Sequence, residues 1–125
     1  MIRYLIDANS AVYAMDIGND TLKARIAQTE AGAIAISVIS YAEVAYGTYV
    51  GKPPSSEVLE AFIAAIPMLP FGETAAREYA KLPFKRARFD RLLAAHALSV
   101  GAVVITNNEA DFADVPGLVV ENWTV

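Results

Sequence analysis

The 125-residue sequence contains no cysteine, which excludes disulfide bonds and metal sites built on thiolates. Charged residues are also scarce, at 19%, whereas hydrophobic residues make up 55%, and this composition argues against disorder. No apolar run approaches the roughly 18 residues that a membrane-spanning helix needs, and the first residues lack the pattern of a secretory signal. We therefore expect a single domain over residues 1–125 that acts in the cytoplasm and makes no membrane contact.

Positive charge is in deficit, with a net charge of −4 and a pI of about 4.9, so the chain as a whole is not an obvious nucleic-acid binder. Most of the basic residues nevertheless lie in one stretch, between positions 77 and 91. The simpler interpretation is a solvated helix face, and the alternative is a ridge that contacts phosphate groups. The basic residues of this stretch are Arg77, Lys81, Lys85, Arg86, Arg88 and Arg91.

Short apolar stretches alternate with segments of helical pattern along the chain. We predict strands at 2–6, 33–37, 68–71, 102–105 and 118–121, and helices at about 9–15, 20–30, 39–50, 55–65, 73–82, 89–100 and 109–112. Ser40 and Glu43 have the spacing of a capping box at the start of the third helix. The alternation predicts a three-layer α/β/α sandwich around a mostly parallel sheet of four or five strands. Ligands of such folds bind at the carboxyl ends of the strands.

Four acidic residues lie beside the apolar segments, at Asp7, Glu43, Asp90 and Asp111. If they met in one pocket, each pair at about 5 Å would repel by on the order of 3 kcal/mol. A divalent cation removes that cost, and oxygen ligands suit magnesium or manganese. Each acid also has a simpler interpretation, as a residue near a helix start, a member of the capping box or a surface charge.

Four segments, in chain order, resemble the PIN-domain family: residues 7–9 (DAN), 37–47 (SVISYAEVAYG), 90–98 (DRLLAAHAL) and 106–112 (TNNEADF). The closing residues 115–123 (VPGLVVENW) resemble the C-terminus of the VapC-type toxins in that family. The resemblance implies a ribonuclease that depends on Mg²⁺ or Mn²⁺, with RNA as its substrate. It also implies the toxin of a type II toxin–antitoxin pair, which forms a homodimer and binds a small antitoxin over its acidic groove.

The resemblance further assigns the site residues. The family's acidic positions are matched by Asp7, Glu43, Asp90 and Asp111, and its supporting polar positions by Asn9 and Thr106. Two positions depart from the family pattern, since Ala8 stands where Thr or Ser is common and Asn108 stands where some relatives have another acid. The basic segment between Arg77 and Asp90 also looks shorter than usual.

Phosphodiester hydrolysis requires a nucleophile and neutralisation of the charge that develops on the phosphate. We expect Asp7, Asp90 and Asp111 to hold the metal ion, and Glu43 to orient water or act as a general base. Arg88 and Arg91 are candidates for contacts with RNA phosphates.

The alternative function is a PIN-like module that binds RNA or a partner without turnover, which Ala8 and the segment before Asp90 favour. A phospho-acceptor receiver domain is disfavoured, because no lysine follows Lys85. His96, the single histidine, lies in an apolar helical segment, where we expect a core role rather than proton transfer.

Overall fold

A five-stranded sheet forms the centre of the computed structural model, which describes residues 1–16, 18–83 and 89–125. Its strands within these ranges are β1 (Tyr4–Ile6), β2 (Ile34–Ser37), β3 (Met68–Leu69), β4 (Val103–Ile105) and β5 (Val120–Glu121). Their order is β3-β2-β1-β4-β5, and each neighbouring pair is parallel. The predicted parallel sheet is therefore confirmed. The strands predicted at 68–71 and 118–121 are shorter than expected, because in each of them only two residues form hydrogen-bonded pairs with the neighbouring strand.

Helices connect the strands. In the described ranges they are α1 (Ala8–Met15), α2 (Asp20–Gln28), α3 (Val38–Tyr49), α4 (Ser56–Ala65), α5 (Glu73–Ala80), α6 (Phe89–Val100) and a 3-10 helix at Glu109–Phe112. Parallel strands require crossover connections of this kind, which place helices against the sheet. Within the part of the chain that the structure describes, no helix combines the length and apolar character needed to cross a bilayer.

The central strands are buried on both faces, and each face belongs to its own hydrophobic cluster. Leu5, together with Ala35 of β2 and Val104 of β4, packs with residues of α6 such as Leu93. The next residue of β1, Ile6, packs on the opposite face with side chains of α1, α2, α3 and α4. Since successive strand residues point to opposite faces, this division confirms the predicted sandwich of helix, sheet and helix layers.

The third helix begins earlier than the sequence predicted. Ser37, the last residue of β2, has extended dihedrals (φ −67°, ψ 145°), and its Oγ accepts a hydrogen bond of 3.1 Å from the backbone N–H of Ile39. Ser37 is therefore the N-cap, and the predicted capping box of Ser40 with Glu43 is wrong. Ser40 lies inside the first turn, where its side chain is buried. The strand passes directly into the helix, so no loop separates them that would move the cap along the chain.

Candidate active site at the carboxyl edge of the sheet

The strand register brings three polar residues side by side. Ile6 of β1 pairs with Ile36 of β2 on one side and with Ile105 of β4 on the other. The residue that follows in each strand is therefore Asp7, Ser37 or Thr106, on strands that lie about 4.8 Å apart. All three are buried, with Asp7 7% exposed and the other two fully covered. The carboxyl edge of the sheet thus carries a row of oxygen groups with a carboxylate at its centre.

Asp7 is fixed by its position between a strand and a helix. Its backbone N–H donates to the carbonyl of Ile105 at 2.9 Å, and its Oδ1 accepts from the backbone N–H of Ser10 at 2.8 Å as the N-cap of α1. A carboxylate has two oxygens and about four lone-pair sites, so the cap leaves capacity to bind a further group. The strand end therefore holds a negative charge in one defined place.

The pKa of Glu43, which lies on α3, shows which charged groups are near it. Its pKa is raised from the ordinary value of 4.5 to about 7, first by burial, then by the charge of Asp90 and then by that of Asp7. Asp90 lies in the first turn of α6, whereas Asp7 follows β1. A carboxylate raises the pKa of another only when the two are near. The carboxylates of Asp7 and Asp90 therefore lie near Glu43, and three acids from three separate elements approach one another at this edge.

Asp111 lies in the 3-10 helix after β4 and is exposed. Its Oδ2 accepts a hydrogen bond of 2.6 Å from Nδ2 of Asn108, whose backbone N–H donates to Oγ1 of Thr106 at 3.0 Å. The predicted supporting residue Thr106 thus anchors the turn that presents Asp111. The charges that raise the pKa of Glu43 are those of Asp90 and Asp7, so the electrostatics of Glu43 do not join Asp111 to these three acids.

The family of the chain follows from a comparison with known proteins. Residues 4–118 match the family model described as PIN domain. The chain belongs to the PIN-domain family. The resemblance inferred from the sequence is confirmed, and the five-stranded parallel sheet is the architecture it implied.

This PIN domain is similar to known ribonucleases along nearly its whole length. It is 27% identical to the tRNA(fMet)-specific endonuclease VapC of Shigella flexneri, over 99% of this chain and 100% of the relative. It is 28% identical to ribonuclease VapC2 of Rickettsia felis, over 96% of this chain and 97% of the relative. Among solved structures, VapBC2 from Rickettsia felis bound to a promoter DNA fragment gives a TM-score of 0.85 at 29% identity, covering 98% and 99% of the two chains. The relatives of this PIN domain are thus VapC ribonucleases.

The oxygen groups at the carboxyl edge suit a hard cation in their chemistry. Three buried oxygens that follow Asp7, Ser37 and Thr106 closely in the chain find no hydrogen-bond partner within the described residues; they are Ser10 Oγ, Ser40 Oγ and Asn107 Oδ1. These oxygens could accept further hydrogen bonds or bind an ion, and a cation would also offset the charges of Asp90 and Asp7 that act on Glu43. In the described ranges, however, no three His, Cys, Asp or Glu side chains stand close enough together to share one ion. The donor types therefore fit a metal, and the side chains would have to move to enclose it.

Arg91, which was predicted to contact RNA phosphates, is buried and paired with an acid. Its side chain is 8% exposed, and Nη2 lies 2.5 Å from Oδ2 of Asp114. The pair joins α6 to the segment after the 3-10 helix and holds the guanidinium of Arg91 away from solvent. This placement argues against the predicted phosphate contact. The other candidate, Arg88, lies outside the described residues.

The predicted basic ridge is only partly described, because residues 84–88 fall outside the described ranges. Along α5, Arg77 forms an ion pair with Glu73, and Lys81 forms one of 2.9 Å with Glu78 at the helix end. The two residues of each pair are about one helical turn apart, and both cations are exposed. These two cations therefore fit the interpretation as a solvated helix face.

Sequence reasoning missed Ser37 as a site residue and gave His96 no partner. The available signal was the position of Ser37, a polar residue that directly follows the buried run Ile34–Ile36 just as Asp7 follows Tyr4–Ile6. The predicted supporting residue Asn9 lies exposed in the first turn of α1, two residues beyond Asp7.

Proposed function

We propose that this PIN domain is an endoribonuclease that depends on Mg²⁺ or Mn²⁺ and acts in the cytoplasm as the toxin of a type II toxin–antitoxin pair. The observation that supports the proposal most is the raised pKa of Glu43. Two of the causes of this shift are the charges of Asp90 and Asp7, which means that the three carboxyl groups lie near one another at the edge of the sheet. Gathered carboxylates at the carboxyl ends of parallel strands form a ligand site in this class of fold. The similarity to VapC ribonucleases over the whole chain supports the same conclusion.

Asp7, Asp90 and Asp111 are the residues proposed to hold the ion. When bound, the ion would supply charge neutralisation at the phosphate and would make water more acidic. Asp7 and Asp90 already lie near Glu43. Asp111 stands on the turn anchored by Thr106 and Asn108, and would complete the set by a movement of its side chain.

Glu43 is the proposed general base. A base with a pKa near the working pH is half ionised and still takes a proton effectively. In the reaction, an oxygen of water bonds to phosphorus, the proton of that water passes to the Glu43 carboxylate, and the bond from phosphorus to the leaving oxygen breaks. The leaving oxygen then takes up a proton, so that one RNA strand and one water give two RNA ends. Without a bound ion, burial and the charges of Asp90 and Asp7 raise the pKa of Glu43 to about 7.

Cleavage of RNA by the purified protein tests the proposal. Structured and single-stranded RNAs are incubated with Mg²⁺, with Mn²⁺ and with EDTA, using the unmutated chain and Asp7→Asn. Asparagine is also a good N-cap, so this variant removes the charge and keeps the start of α1. We expect metal-dependent cleavage that falls by at least roughly 100-fold in Asp7→Asn, as for the loss of a group that stabilises the transition state.

The matched control is Asp20→Asn, which changes an exposed acid in the first turn of another helix and should cleave as the unmutated chain does. Equal cleavage by the unmutated chain and Asp7→Asn would indicate a contaminating nuclease. Binding of RNA without cleavage under any condition would refute the enzyme and favour the module without turnover.

A homodimer and a small antitoxin are the proposed partners. The antitoxin is supported by solved structures of similar chains, which are VapBC complexes from Rickettsia felis and Salmonella typhimurium. An antitoxin could place a basic side chain among the carboxylates, where opposite charge stabilises the ionised form of each acid. Light scattering of the purified chain tests the dimer. Co-expression with the small reading frame next to its gene tests the antitoxin, and a chain that stays alone would contradict that part.

A further inference from the structure

His96 lies buried at a junction of four elements. It is 2% exposed in the middle of α6, and its Nδ1 lies 2.7 Å from Oγ of Ser37, which is fully covered. Its ring meets that of Phe71 edge to face, with the centroids 5.5 Å apart. These contacts join α6 to the end of β2, to the start of α3 and to the segment after β3.

We propose that Ser37 and His96 are a positioning pair, which fixes the start of α3 against α6 and thereby holds Glu43 near Asp7 and Asp90. This inference rests on the proposed ribonuclease function and extends it to two residues that do not touch the reacting atoms. The pair is a hydrogen bond between residues 59 positions apart in sequence.

The contacts of Ser37 and His96 indicate which atom donates the hydrogen between them. A serine hydroxyl has one hydrogen and two acceptor sites. Oγ of Ser37 accepts the backbone N–H of Ile39 at 3.1 Å, and its own hydrogen is available to Nδ1 of His96, which lies 2.7 Å away. The imidazole also interacts with the carbonyl of Pro70, which can only accept. With Nδ1 accepting from Ser37, the ring hydrogen lies on Nε2, and burial lowers the pKa of His96, which favours the neutral ring.

Ser37 and His96 each lie less than two helical turns from one of the acids. Glu43 is six residues after Ser37, and His96 is six residues after Asp90, which in an α-helix corresponds to about 9 Å in each case. Ser37 is also the register neighbour of Asp7 on the adjacent strand. A change in the angle between α3 and α6 at the pair would therefore move Glu43 relative to both other acids.

A buried histidine that merely fills the core is the competing explanation, and catalytic data on matched variants separate the two. Misplacement of a catalytic group by about 1 Å costs up to about 100-fold in rate. We therefore expect Ser37→Ala and His96→Leu to lower kcat by roughly 10- to 100-fold with KM changed less than about twofold. His96→Asn, which offers an acceptor oxygen near the place of Nδ1, should recover most of that loss.

The control is Ser99→Ala. It removes another serine hydroxyl of α6, which donates to the backbone carbonyl of His96 at 2.7 Å and does not contact Ser37. Its kcat should match that of the unmutated chain. If all variants instead lose activity only in proportion to their loss of folded protein, the pair is a packing contact and the inference is wrong.

The hydrogen bond itself is measured without RNA or metal. Because the chain has one histidine, its two ring nitrogens are assigned without ambiguity in a long-range ¹H–¹⁵N spectrum. We expect a neutral ring with Nδ1 unprotonated, and faster exchange of the Ile39 amide in His96→Leu than in His96→Asn. Equal exchange of the Ile39 amide in the two variants would overturn the inference, since the hydrogen bond to His96 would then not hold the start of α3.

These readouts also separate the inference from the proposed function. If the unmutated chain cleaves no RNA, the proposed function fails and the catalytic role of the pair fails with it. If the unmutated chain cleaves RNA and Ser37→Ala has an unchanged kcat, only the inference fails.

Discussion

Replacing Glu43 with glutamine removes a negative charge that the fold holds at an electrostatic cost, because burial and two nearby carboxylates raise the pKa of Glu43 to about 7. Glutamine has nearly the shape of the protonated acid and is neutral at every pH. The variant should therefore keep the packing of α3. It should lose both the cost of burying an ionised carboxyl and the repulsion from Asp90 and Asp7, which together raise the pKa of Glu43.

The size of the effect follows from the pKa. Because Glu43 has a pKa of about 7 in the folded chain against an ordinary value of 4.5, the folded state binds this proton more tightly than the unfolded state. The resulting stabilisation is fully present below pH 4.5 and is lost as the pH rises through about 7. The difference between the two pKa values corresponds to about 3 kcal/mol of unfolding free energy.

Urea unfolding in EDTA, followed by circular dichroism, measures this difference. We expect Glu43→Gln and the unmutated chain to have similar free energies of unfolding near pH 4.5, where both side chains are neutral. At about pH 8 the variant should be more stable by up to about 3 kcal/mol.

The control is Glu60→Gln, which changes an exposed glutamate of α4 and should follow the unmutated chain at every pH. A variant that is less stable than the unmutated chain at pH 8, or a difference that does not change with pH, would refute the reasoning that three carboxylates meet at this edge.

Three further predictions concern the site and its supports. Mn²⁺ should raise the melting temperature of the unmutated chain by mass action, and Asp7→Asn should lose most of that rise; an equal rise in both would place the ion elsewhere. Asn108→Ala, which removes the hydrogen bond to Asp111, should weaken the Mn²⁺ midpoint of that melting shift by roughly 10-fold, as for a lost outer-shell partner; an unchanged midpoint would contradict a metal role for this turn. Arg91→Met should lower the free energy of unfolding by about 3 kcal/mol, because it leaves the partly buried carboxylate of Asp114 without this partner. Arg77→Met, which breaks an exposed pair, should change the free energy of unfolding by less than about 1 kcal/mol. Similar losses in the two variants would mean that the Arg91 pair contributes no more to stability than a surface pair.

Local pattern was sufficient for much of the fold. The apolar runs that became β1, β2 and β4 are short and buried on both faces, which is the signature of a parallel sheet. The last of the long helices, α6, has the predicted bounds, and the glycine after it, Gly101, takes the positive φ of +68° that ends helices. The start of α3 was predicted wrongly because the spacing of Ser40 and Glu43 matched a capping box, whereas the helix follows β2 directly and Ser37 at the strand end is its N-cap.

The parts of the site that were not foreseen depend on contacts between distant residues. Arg91 and Asp114 are 23 positions apart, so the pairing that withdraws this arginine from the surface leaves no trace in local charge patterning. The bond of His96 with Ser37 spans a still longer separation and needs the sheet to be assembled first. The acidic positions, by contrast, were predicted together because the order of segments resembled a known family, and the electrostatics of Glu43 link three of them.

The location of a bound ion tests the central claim most directly. Crystals of the unmutated chain soaked in Mn²⁺ would be measured at a wavelength where manganese scatters anomalously. We predict one or more anomalous peaks at the carboxyl edge of the sheet, within coordination distance of Asp7 and Asp90, with Asp111 turned toward them and Glu43 adjacent. Fully ordered carboxylates with no anomalous density among them, or a peak bound only elsewhere on the surface, would contradict the account.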